Sequence, residues 1–173
     1  MADIKIKYPS TSTSAITISL ASLADDNTNG IAGRASTAVD NTTNLDLDHL
    51  LSGYIKTGTT PTVSRTIELW LYAPVSIASG TPTYPDSITG TDAAKTMTSR
   101  NVLQSGLVWC KTITVDATTG NVYPIGQISV AAAFGGVLPP FWGVWVLNRT
   151  AVALDSTGGN HVLTYERVQQ QTV

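Results

Sequence analysis

The sequence predicts an all-β domain, an antiparallel β-sandwich of jelly-roll type with an extended N-terminal arm. Three observations carry this reading. About one residue in seven is threonine, a β-branched type that favours strands. Roughly seven to nine short apolar runs, several of them alternating, recur at sandwich-like spacing between Gly, Pro, Asn and Asp clusters. The third is a charge-free stretch, residues 117–148, whose centre at 128–147 holds one polar side chain, Ser129. Its length and apolarity suit a membrane-spanning helix. Gly135-Gly136 and Pro139-Pro140 interrupt any such helix, because proline removes a donor and clashes with the preceding turn. What remains is an apolar segment, a break and a strand at 141–147, the packing block of a soluble β domain.

The elements follow in order. Ile4, Ile6 and Tyr8 alternate with Lys5 and Lys7 until Pro9-Ser10-Thr11, a first strand. Ile16, Ile18 and Leu20 are in phase as a second, and residues 1–24 read as an arm or as edge strands. Residues 25–43 are polar and Gly-containing, a long connection of the kind associated with function. The β domain then spans 44–173. Leu45, Leu47, His49 and Leu51 share one face, and Gly53 marks a bulge or bend. Residues 63–72 form a strong strand that Pro74 ends. Residues 80–98 are a polar loop with a helical turn at Ala93-Ala94. Residues 102–115 are extended and bent at Gly106, and 116–121 form a hairpin connection to 122–130, where Pro124 marks an edge. After the 134–140 break come 141–147, 151–154 and 161–168. No segment reads as a convincing helix.

Composition narrows the function classes. Charged residues make up 13% of the chain, about half the usual share. The ten Lys and Arg residues are scattered, and the net charge is −2. A sequence-independent phosphate grip needs clustered cations, so nucleic acid is not an expected partner. Cys110 is the single cysteine, which rules out an intrachain disulfide and reads as a buried, inert thiol. The first residues lack the apolar core of a signal peptide, so synthesis in a cytoplasm is expected.

No constellation carries chemistry. His49 reads as a structural histidine beneath the sheet and His161 as a surface residue at a strand start. Asp46 and Asp48 lie close to His49 in sequence, but strand alternation would point them away from it. Asp86 to Asp92 reads as an Asx-type turn, because the third acidic ligand and the closing glutamate of a calcium loop are missing. Asp25, Asp26, Asp40 and Glu68 offer carboxylates with nothing to select a pair. No catalytic residue, cofactor or metal is assigned. The sharpest local inference is that alternation separates Trp142 from Trp145, which places one of them outside the core. With Phe134, Ile4, Ile6 and Tyr8, these two tryptophans are the candidate interface residues.

Several pieces resemble a family of small virion structural proteins of tailed bacteriophages: Val39-Asp40-Asn41 with Asn44-Leu45-Asp46, Gly90-Thr91-Asp92-Ala93-Ala94, the run from Ser129 to Pro139, Trp142-Gly143, Asn148 with Thr150, and Ala153-Leu154 with Thr157-Gly158-Gly159-Asn160-His161. The resemblance covers roughly residues 36–168 and involves turn and packing residues only. It implies a capsid decoration (cement) protein, a homo-oligomer (trimer or dimer) that binds the major capsid protein on the virion surface, with no nucleic acid or membrane partner. The alternative it leaves is a tail- or fibre-associated β domain with a carbohydrate- or receptor-binding role.

Overall fold

The computed structural model describes residues 3–9 and 13–172. Ser10 and Thr11, assigned above to the end of the first strand, lie outside the described residues. The strands are β1 (Ile4–Lys7), β2 (Thr13–Ala15), β3 (Ala32–Ala35), β4 (Val39–Asp40), β5 (Asp48–Lys56), β6 (Thr66–Tyr72) and β7 (Ser76–Ala78). They continue as β8 (Thr81–Thr83), β9 (Ala93–Thr96), β10 (Val108–Thr114), β11 (Val122–Pro124), β12 (Ile128–Ser129), β13 (Phe141–Arg149) and β14 (Val162–Thr172). Two short helices, α1 (Arg100–Gly106) and α2 (Val130–Ala133), complete the chain with two 3-10 turns.

The fold is all-β and antiparallel. One sheet runs β1-β14-β5-β11, with β2 also on β14 and β12 on β5. The other runs β10-β6-β13-β3-β9, with β4 on β13. The main core lies between the sheets, where Leu51, Ile55 and Leu163 meet Ile67, Leu69, Leu71, Val144 and Val146. A second core covers the opposite face of the second sheet, where Trp70, Tyr72, Trp145 and Leu147 pack under Tyr84, Ile88, Met97, Leu103 and Leu107.

That second core corrects the main local inference from the sequence. Trp142 faces the main core and Trp145 faces the second one, and both are fully buried. Alternation does place them on opposite faces, but both faces of β13 are covered. A strand buried on both faces reads as a continuous apolar run rather than an alternating one, which accounts for the charge-free stretch. Phe134 is half-buried against the main core, so it too packs inward.

Other boundaries move for local reasons. Ser99 caps α1 by accepting a hydrogen bond from the Val102 N–H, so 100–106 is a helical turn and not the start of an extended run. Ala93-Ala94 belong to β9. Residues 116–121 link β10 of one sheet to β11 of the other, so they cross between sheets and form no hairpin. β11 ends the first sheet's path, consistent with Pro124 on an edge. At Gly53 (φ +143°) a Cβ would lie 1.9 Å from the Val162 carbonyl oxygen, so glycine lets β14 pair in continuous register there.

Candidate functional site

Three places gather the polar and exposed aromatic or apolar side chains. The first is buried at the start of β5. Leu45 takes a left-handed conformation (φ +51°), and this turns Asp46 inward before the strand begins. Asp46 Oδ2 lies 2.9 Å from His49 Nε2 and 2.8 Å from Arg167 Nε, and Asp46 Oδ1 accepts from Gln169 Nε2 at 2.7 Å. The reading that Asp46 points away from His49 is thereby corrected: Asp46 precedes the strand, so alternation does not govern it. Asp48 does turn elsewhere, to the Ser129 hydroxyl and the Ala131 N–H.

His49 Nδ1 accepts a hydrogen bond from the Trp142 indole N–H at 2.8 Å. Indole nitrogen only donates and a carboxylate only accepts, so the ring is neutral with its proton on Nε2. Burial pushes the His49 ring below its ordinary value, against the opposing pull of Asp46. Burial raises the Asp46 carboxyl, but hydrogen bonds from Arg167, His49 and Gln169 outweigh it and hold the group below the usual carboxylate range. The pair resembles the base and orienting acid of a hydrolase in its contacts, but its Nδ1 is occupied by the Trp142 indole and its ring packs against Tyr165. It fixes structure. Leu47 N–H donates to the Val168 carbonyl, so the cluster sits where β14 leaves the sandwich.

The second place is that departure. Among the described residues, β14 beyond Val168 pairs only with β1: Ile4 opposes Thr172, Lys5 Gln171, Ile6 Gln170 and Lys7 Gln169. The result is a two-stranded ribbon whose β1 side chains are all exposed. Ile4 and Ile6 are 69% and 66% exposed on one face, with Lys5 and Lys7 on the other. Tyr8 follows, also exposed. Residues 13–24 behave differently. β2 pairs with Thr164–Glu166, and Ile16 and Leu20 enter the main core.

The third place is a face of the second sheet at its β10 edge. A bulge at Cys110 shifts the register, so Trp109 opposes Trp70 and Thr112 opposes Glu68 on the same face. Trp109 is 58% exposed, and its indole N–H donates to the Thr112 hydroxyl. Sequence reasoning missed this exposed tryptophan because the bulge is silent in the residue pattern. Glu68 is buried and accepts from the Trp70 indole, Arg100 and Arg149. The Arg100 guanidinium lies 5.3 Å from the Trp70 ring centre. Beyond Arg149, a cleft of about 230 Å³ is lined by Asn27, Ser64, Arg65, Thr66 and Arg149.

The remaining expected residues are engaged in structure. Asp26 accepts from the Asn29, Ile31 and Ala32 N–H groups, and Asp25 from Asn27 and Ala151. Asp86 is held by Thr98, and Asp92 by Arg34 and Ser19. Burial pushes the Cys110 thiol up to about 11, unfavourable to a reactive thiolate. Among the described residues, no group of three or more His, Cys, Asp or Glu side chains is placed to hold a metal, and no helix is long and apolar enough to cross a membrane. Comparison with protein-family models, curated proteins and solved structures finds no match.

Proposed function

We propose that this chain is a structural component of a tailed-phage particle that decorates the capsid and stabilises it by binding the outer lattice of the major capsid protein. The observation that carries the reading is the β1/β14 ribbon. It stands beyond the paired part of the first sheet, with an exposed Ile4-Ile6-Tyr8 row and, among the described residues, an open backbone edge. An open edge bearing apolar side chains is a template for strand addition, in which main-chain hydrogen bonds give affinity and alternate side chains give specificity.

The charge pattern selects the kind of strand that fits. Antiparallel self-pairing of the whole of β1 either sets lysine opposite lysine or sets each isoleucine opposite a lysine, splitting the apolar row between faces. A second copy therefore suits this edge poorly. A capsid strand with apolar residues on one face and carboxylates on the other complements both rows. The rigid root at Asp46, Arg167 and Gln169 supports this role, because it orients the ribbon before binding and reduces the ordering cost of association.

Counting copies in purified virions tests the location. A copy number commensurate with the shell lattice is expected. A handful per particle would move the chain to the tail or its fibres.

A further inference from the structure

The exposed face of β10 carries a feature that shell binding does not use. Of the four tryptophans, Trp70, Trp142 and Trp145 are buried and Trp109 alone is exposed. Its indole edge is fixed by the bond to Thr112, so the ring is a pre-set flat surface. Along the same face run Thr112 and Thr114, opposite Glu68 and Thr66 respectively. The row ends at the cleft formed by Ser64, Thr66, Arg65 and Arg149. From Trp109 to Thr114 the strand covers about 16 Å at its ordinary rise. Arg100 and Arg149 both donate to Glu68, Arg149 also donates to the Asn27 backbone carbonyl, and at the cleft Arg65 donates to the Asn27 side-chain oxygen. Asp25 and Asp26 lie nearby, with their oxygens taken up by loop N–H groups.

We propose that this face binds an anionic oligosaccharide, with one sugar ring stacked on Trp109, its hydroxyls along the threonine row, and a carboxylate or phosphate substituent at Arg65 and Arg149. An aromatic face accepts the apolar side of a sugar ring, and guanidinium groups match planar anions. A single-stranded nucleic acid would use similar groups. It needs free cations along its whole backbone, however; here Arg65 and Arg149 stand at the cleft, Arg100 is tied to Glu68 against the Trp70 ring, and threonine hydroxyls line β10 between them. The site is separate from the ribbon, so its success or failure leaves the shell-binding reading standing.

Titration of the full chain with trigalacturonate, its reduced neutral counterpart and a thymidine oligonucleotide tests this, read by tryptophan fluorescence and calorimetry. Saturable binding of trigalacturonate is expected, with about tenfold weaker affinity for the neutral sugar. Trp109→Ala and Arg65→Gln should each weaken binding roughly tenfold. Both positions are exposed, so circular dichroism should show an unchanged fold. Absence of saturable trigalacturonate binding, binding insensitive to both substitutions, or equal or tighter binding of the oligonucleotide would each overturn the proposal.

Discussion

His49 holds two hydrogen bonds that only the neutral ring can satisfy together, one given to Asp46 and one taken from Trp142. Protonation would set two N–H donors face to face in a buried space. Both His49 and Asp46 titrate below their ordinary values in the folded chain, so both contribute stability at high pH that is lost as pH falls. The midpoint of urea unfolding should be flat above about pH 7 and fall below about pH 6.5, where the unfolded histidine takes up its proton. A second decline should follow as Asp46 is protonated at lower pH. In His49→Gln the first decline should be absent, and its persistence would mean another group is responsible. Asp46→Ala leaves Arg167 and His49 without their acceptor and should cost about 3 kcal/mol in the same assay. Trp109→Ala, by contrast, removes an exposed ring and should change stability by no more than about 0.5 kcal/mol.

At the scale of elements, β5 and β14 carry the first sheet, and at Gly53 the β14 backbone leaves no room for a Cβ. Gly53→Ala would drive a methyl into the Val162 carbonyl at an unfavourable φ. It should destabilise the chain by about 3 kcal/mol or more, measured as a lowered unfolding midpoint with an unchanged denaturant slope. Gly53 was legible as a special backbone position, expected as a bulge or bend; the register through it is continuous, and the glycine is needed for its positive φ and the close Val162 carbonyl. β6, β13 and β14 were legible because apolar β-branched and aromatic runs bounded by turn residues have few alternatives. The placement of Asp46 was not legible, because a single left-handed residue, Leu45, reverses what alternation implies. Nor was the exposure of Trp109, which depends on the bulge at Cys110, or the burial of both Trp142 and Trp145, which depends on a second layer brought from residues 84–107. Alternation reports opposite faces. Whether both faces are covered is decided by residues distant in sequence.

At the scale of the molecule, two cores flank the second sheet and the β1/β14 ribbon runs beyond the β5-paired part of the first. Most carboxylates are consumed by caps, turns and ion pairs, such as Arg34 with Asp92 and Lys56 with Asp155. The proposed function accordingly rests on surfaces, with the ribbon as the proposed shell contact. The most direct measurement of the proposed role is co-sedimentation of the purified chain with phage heads, from the particle in which the chain is found, after the native copy has been stripped. The account predicts saturable binding of the unaltered chain, and at least a tenfold loss in the folded double variant Ile4→Asp with Ile6→Asp, where apolar burial is replaced by buried charge. Unchanged binding by that variant would contradict the ribbon's role, and no binding by the unaltered chain would contradict capsid decoration itself.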